Sequence, residues 1–350
     1  MTGADRNPAQ CLAERDKVRS LHRVQGRSAA RLAFVFGKAK KPSESPKELM
    51  ARLAIRGPYR VLRGDLGIVG MPGQVFTPSS STWLPARKRD SDRWPAIAFG
   101  HSWLADSGRY RDLLYHLASW GIVVAAPDAE RGVLASDKAL ASSLRSALDV
   151  VSHVPLGFGA VKVDPEQVGY AGDGLGASAA VLAASTLTLH GQAPRPVKSV
   201  AAVFPAPTTA ELLPAAETVT AQGLVIGGSI LDGVHANPLP LAVAYGGDVV
   251  LRTLAGGASA DLVEKFGPGR LVGINGADRK VHAQVRALLT GYLLYSLTGD
   301  YEYQAFCDPE VVLGEFTTLD LDDTPDLLDP VSTLLGATPP KPKKDTATPA

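Results

Sequence analysis

The segment Val163–Ala180, VDPEQVGYAGDGLGASAA, is where residue types and spacing speak most directly to chemistry. An apolar run ends at Gly172, a tight turn follows, and a small-residue stretch of helical composition begins. A strand–turn–helix with the pattern Gly-x-X-x-Gly holds X at positive φ and points its side chain beyond the end of the sheet. A serine there serves as nucleophile in acyl transfer. The flanking glycines, here Gly172 and Gly176, are needed because backbone segments approach too closely for side chains. At X stands Gly174. Glycine takes positive φ without strain, so the turn is kept, yet it offers no oxygen to attack a carbonyl. Asp173 precedes it, and Leu175, whose N–H opens the helix, follows.

Such a turn must be carried by a sheet. Trp94–Gly100, Gly121–Pro127, Gln167–Gly172, Val200–Pro205, Gly223–Gly228 and Val249–Leu254 read as short buried strands. Tyr110–Trp120, Ser136–Val154, Leu175–Leu189 and Val281–Leu297 read as helices between them. Strands alternating with helices predict an α/β fold with a doubly wound, mostly parallel sheet. The Gly174 turn would then lie at the carboxyl ends of the strands, where open α/β sheets bind ligands, as would His101, just past Gly100.

The order and spacing of several short motifs carry a family resemblance. They are Arg56-Gly57-Pro58-Tyr59, Phe99-Gly100-His101, His116-Leu117-Ala118-Ser119-Trp120-Gly121, Val123-Val124-Ala125-Ala126-Pro127-Asp128, the Gly174 turn, and Tyr303-Gln304-Ala305-Phe306-Cys307. Over roughly residues 56–310 the chain resembles the α/β-hydrolases, and within them the dienelactone hydrolase and cutinase-like polyester hydrolase group. The resemblance implies a catalytic triad whose acid position falls on Asp232, after Gly227-Gly228-Ser229-Ile230-Leu231. It implies a base position at the end of VVLRTLAGGAS, where Ser259 stands instead of histidine. A rival alignment uses Leu271–Gly276 as that strand and puts Arg279 near the base position. The implied oxyanion donors are the backbone N–H groups of Leu175 and of His101 or Ser102, with Trp103 and Asp173 completing the pocket.

A glycine for the nucleophile and no imidazole removes both partners that make acyl transfer work as a unit. The expectation is therefore a pseudohydrolase that binds a small apolar ligand or a protein partner, needing no cofactor and no metal. One alternative is an active serine hydrolase with a non-standard nucleophile and base, such as Ser178 or Ser229 with His282; a shifted register would instead make Asp173 a carboxylate nucleophile. Another reads Gly172-Asp173-Gly174-Leu175-Gly176-Ala177 as a dinucleotide fingerprint, although it stands mid-chain and no acidic residue ends the next strand.

Charge is segregated along the chain. Residues 1–63 hold fifteen Lys/Arg against five Asp/Glu, while residues 301–330 hold nine Asp/Glu and no Lys or Arg. Arg15, Arg19, Arg23, Arg27 and Arg31 recur every four residues and on a helix would form a basic ridge. Such a ridge suits a solvated face, docking on the acidic segment, or weak binding of a polyanion. The expected organisation is a basic, partly helical extension over 1–55, the α/β domain over 56–310, an acidic segment over 311–337 and a disordered tail over 338–350. Cys11 and Cys307 are far apart, so no disulfide framework is read from them; secreted members of the resembled group carry a disulfide near the C-terminal motif. With no apolar leader or spanning run, a cytoplasmic protein is expected.

Overall fold

The computed structural model describes residues 44–82, 93–157, 159–207, 209–228, 238–264, 279–318, 334 and 336–338. The predicted extension before residue 44, with its arginine ridge, lies outside the described residues, as do most of the acidic segment and the tail.

All six runs read as strands are strands. The described chain runs through α1 (Pro46–Leu53), β1 (Tyr59–Asp65), β2 (Gly73–Thr82), β3 (Arg93–Gly100), α2 (Arg111–Ser119), β4 (Val123–Pro127), α3 (Asp137–His153), β5 (Lys162–Asp173) and α4 (Leu175–Ala184). It continues through β6 (Ser199–Val203), α5 (Leu212–Ala216), β7 (Gln222–Gly227), α6 (Leu239–Ala244), β8 (Val249–Thr253), a single turn α7 (Ser259–Leu262), α8 (Arg279–Thr298) and β9 (Thr317–Thr318). The strands form one nine-stranded sheet in the order β1-β2-β4-β3-β5-β6-β7-β8-β9. From β4 to β8 every pairing is parallel; β1, β2 and β9 join antiparallel at the two edges. The central strands read as continuous apolar runs because helices cover both faces: β4 and β6 are buried at every residue.

One face packs against α3, α4, α5 and α6, the other against α1, α2, α8 and the segment around Phe306 and Phe316. The helix after β3 lies on the second face and the helix after β5 on the first. The chain therefore switches direction between these two neighbouring strands, which opens a crevice at their carboxyl ends. Helix α4, LGASAAVLAA, is buried almost all round and must be built of small residues to fit. It ends at Ala184 rather than at Leu189. The guanidinium of the fully buried Arg145 on α3 takes over its last carbonyls, donating to Ala183 O at 2.9 Å and Ser185 O at 2.9 Å, and beyond them to Leu187 O at 2.8 Å.

Helix α1 falls within the stretch expected to be an appendage. Ser45 and Glu48 form a reciprocal cap, with Ser45 N–H donating to Glu48 Oε2 at 2.8 Å and Glu48 N–H to Ser45 Oγ at 3.3 Å, and Pro46 sits where its missing N–H costs nothing. Leu49, Met50 and Leu53 are buried in the same core as α8. The compact unit thus begins at Glu44. Among the described residues no helix is long and apolar enough to cross a membrane, and Cys307 is a free, half-buried thiol whose pKa burial raises.

Candidate functional site

Where β5 ends, Asp173 is the last strand residue, Leu175 the first of α4, and Gly174 the whole turn between them. Its φ is 57° and ψ −117°, positive φ as the spacing required. The flanking glycines are spent on backbone contact. A Cβ on Gly172 would overlap the Gly176 carbonyl, and one on Gly176 the Gly100 carbonyl, so β3, β5 and α4 meet backbone to backbone. That contact accounts for the glycines without a pyrophosphate, and the dinucleotide alternative gains nothing from the geometry.

Two hydroxyls converge on the space where a nucleophile's side chain would stand. A Cβ placed on Gly174 would overlap Ser102 Oγ and lie 3.0 Å from Ser102 Cβ and 3.1 Å from Ser259 Oγ; among the described residues no imidazole is one of its nearest neighbours. Ser259 Oγ is 2.7 Å from Asp173 Oδ2 and 3.1 Å from Ser102 Oγ, and with one proton to give it donates to one of them at a time. Tyr110 donates its hydroxyl proton to Asp173 Oδ2 at 2.7 Å and accepts from the Ser102 N–H at 3.0 Å. Residues from the loop after β3, the turn before α2, the end of β5 and the start of α7 are thereby tied into one network around a buried carboxyl. Burial pushes the Asp173 carboxyl up to about 7, although the hydrogen bonds from Ser259 and Tyr110 pull the other way. Burial, and then the neighbouring Asp173, hold the Tyr110 phenol well above its usual range.

The structure brings together Gly174, Asp173, Ser102 and Ser259, which the sequence singled out, and adds Tyr110, which it did not. Several roles change. The Ser102 N–H is committed to Tyr110 and is not aimed at an oxyanion position. His101 is buried; Nδ1 lies 2.9 Å from Ser102 O and Nε2 2.7 Å from Ala129 O, so its ring staples the loops after β3 and β4 and lends no nitrogen to the crevice. Trp103 stands half exposed at the rim, its Nε1 donating to Val133 O at 3.2 Å, beside Leu104, which is held at φ 56°. Leu175 is partly buried at the start of α4.

Asp232, Ser229 and the rival strand Leu271–Gly276 lie outside the described residues. Arg279 is the first residue of α8. Ser178 is buried within α4 on one face of the sheet, whereas His282 belongs to α8 on the other, so that pairing is ruled out by the sheet between them. Asp173 is fully buried and its Oδ2 is held by two hydroxyls, which leaves no approach for a substrate to that oxygen. Among the described residues no group of His, Cys, Asp and Glu is arranged to hold a metal ion. In comparisons with known proteins, neither a family model nor a curated protein matches the chain.

Proposed function

We propose that the chain is an α/β-hydrolase-like protein of the dienelactone hydrolase and cutinase-like group that has lost hydrolysis and acts as a binding scaffold. The observation that carries this reading is the filled notch above Gly174. Ser102 occupies the nucleophile's space, and Ser259, a hydroxyl rather than an imidazole, faces it. A serine hydroxyl is not ionised at neutral pH, and among the described residues neither Ser102 nor Ser259 has a positioned base beyond the buried Asp173. With the notch closed by the protein's own side chains, a protein partner fits better than a small ligand lodged at the turn.

The test is reaction of the purified protein with a fluorophosphonate probe and with p-nitrophenyl acetate and butyrate. No labelled serine and no turnover above buffer are expected. Saturable labelling of Ser102, or of any other serine whose replacement abolishes turnover, would overturn the loss of hydrolysis. Saturable quenching of tryptophan fluorescence by p-nitrophenyl butyrate without turnover, absent in Trp103→Phe, would overturn the scaffold reading in favour of a small-ligand site.

A further inference from the structure

Three neighbouring loops at the carboxyl end of the sheet expose large apolar side chains. They are the connection from β1 to β2, with Ile68 and Val69, the loop after β4, with Val133 and Leu134, and the loop after β3, with Trp103 and Leu104. Strands β2, β4 and β3 are successive in the sheet, so the loops stand side by side in that order. Ile68 is 88 % exposed, Val133 70 % and Leu134 94 %. Hydrogen bonds join each loop to the next: the Asp128 N–H donates to Pro72 O at 2.8 Å, and Trp103 Nε1 donates to Val133 O at 3.2 Å. Others fix the loops internally, the Met71 N–H donating to Leu66 O at 3.2 Å and the Ser136 N–H to Glu130 Oε2 at 2.9 Å. Leu104 and Glu130 are held in the left-handed region, at φ 56° and 59°. A leucine strained in this way and half in water returns no core burial for its strain, and such strain gathers at binding sites.

Apolar side chains grouped on neighbouring loops mark an interaction surface, and loops already tied down lose little entropy when they bind. Charge decides what binds. Residues 66–72, 101–110 and 128–136 hold the carboxylates Asp106, Asp128 and Glu130 against the exposed Arg109 and Arg131. Each carboxylate accepts a backbone N–H of these loops, from Arg109 at 3.2 Å, Ser107 at 2.6 Å and Ser136 at 2.9 Å, so the positions of the charges are fixed. Three carboxylates against two arginines give an anionic bilayer no attraction. Both signs around one apolar surface suit a second copy related by a two-fold axis, whose arginines can meet the first copy's carboxylates while apolar tips meet apolar tips. A marginal dimer needs roughly 500 Å² from each copy, and six large side chains, each about half exposed or more, offer an area of that order.

We propose that these loops form the interface of a symmetric dimer, with Trp103 as its aromatic anchor and Ile68, Val133 and Leu134 packed on the same loops of a second copy. This names a partner for the scaffold reading and rests on it for the choice of a protein over a small ligand. Sedimentation velocity at about 1 to about 200 µM should show a reversible monomer–dimer equilibrium in that range. Ile68→Glu and Leu134→Glu should each weaken it at least about tenfold, and Arg131→Glu at least about threefold, with the parent's melting temperature kept because all three side chains are exposed. Val154→Glu, on the connection from α3 to β5 at the other end of the sheet, should leave the dimer unchanged. A monomer at every concentration, or a dimer indifferent to both Ile68→Glu and Leu134→Glu, would overturn the proposal. Hydrogen exchange of the parent needs no variant: amides of residues 66–72, 102–105 and 131–135 should gain protection as concentration rises, and no gain there would overturn the interface. Binding of a monomeric parent to phosphatidylcholine vesicles, lost in Leu134→Glu, would replace the second copy by a bilayer. A monomer that leaves fluorophosphonate unreacted defeats the dimer alone, whereas a dimer that is labelled defeats only the loss of hydrolysis.

Discussion

Replacing Gly174 by alanine tests the turn on which the functional reading stands, and its cost can be worked from two separate features. The first is backbone: at φ 57° and ψ −117° any residue with a Cβ is strained, by about 1–3 kcal/mol. The second is space. The new methyl would overlap Ser102 Oγ, so Ser102 must turn away and give up its contact with Ser259, a loss of about 1 kcal/mol for one hydrogen bond. Together they predict a destabilisation of roughly 2–4 kcal/mol, which for a domain of this size lowers the melting temperature by roughly 5–10 °C. Differential scanning calorimetry on reversible scans is the assay. Gly70 supplies the control. It sits at φ 79° and ψ 13°, with nothing within 4 Å of an added Cβ. Gly70→Ala should therefore show only a left-handed backbone cost of about 1–2 kcal/mol. Adding Ser102→Gly to Gly174→Ala relieves the overlap but forfeits the same Ser102–Ser259 hydrogen bond and leaves the backbone strain, so the double variant should be no more stable than Gly174→Ala alone. A Gly174→Ala protein as stable as the parent would refute the positive-φ turn. Full recovery in the double variant would refute the backbone part of the argument.

The pH dependence of stability should carry the mark of Asp173. Its carboxyl titrates near 7 when folded and at the ordinary 3.8 when unfolded, so between those values the folded state holds a proton the unfolded state has lost. Stability from this group is therefore fully present below about pH 4 and lost as pH rises through 7, by about 4 kcal/mol at 1.4 kcal/mol per unit. His116 works in the opposite sense: burial lowers it from 6.5 to about 3, so acidification from pH 6.5 destabilises the fold. Urea midpoints of Asp173→Asn and parent, compared at pH 5 and pH 8, cancel the histidine; the variant should gain on the parent at pH 8, and a pH-independent difference would refute the shift. Arg145→Met should cost at least about 3 kcal/mol in urea unfolding, because it strands the carbonyls beyond α4 in a dry core, and a loss under 1 kcal/mol would deny Arg145 that capping role.

The centre of the sheet was legible in the sequence because buried parallel strands must be apolar throughout, and β4 (VVAAP) and β6 (SVAAV) can hardly be read otherwise. The edges were not. β1, YRVLRGD, is exposed at most of its length, and β2, GQVFTPSSST, turns polar after Thr77, so neither has an apolar run to betray it. Helix α1 did leave a signal: Ser45-Pro46 followed by Glu48 is a start marker, but the Lys, Ser and Pro that precede it mask the marker. At the site, Gly174 was legible because its neighbours are fixed by backbone contact at a spacing of two. Tyr110 was not, since its link to Asp173 spans 63 positions, and that of Ser259 to Ser102 spans 157. Only the fold brings those pairs together, and no local pattern encodes them.

The same network explains how the turn is held with glycine at its apex. Gly100, Gly172 and Gly176 hold β3, β5 and α4 together by backbone packing, which owes nothing to the side chain at position 174. A residue with a Cβ there would carry strain, whereas glycine avoids it and leaves a notch beside a buried carboxyl. An empty polar notch over Asp173 would leave hydrogen-bonding groups dry and unpaired, a cost of about 1–3 kcal/mol each. Ser102 and Ser259 fill it and give Asp173 a donor. The three positions are therefore coupled. A serine placed at Gly174 would meet Ser102 Oγ, and an imidazole placed at Ser259 would displace a donor that Asp173 uses. A change at one of these positions alone therefore disrupts the filled arrangement, and the packing of the site opposes single substitutions there.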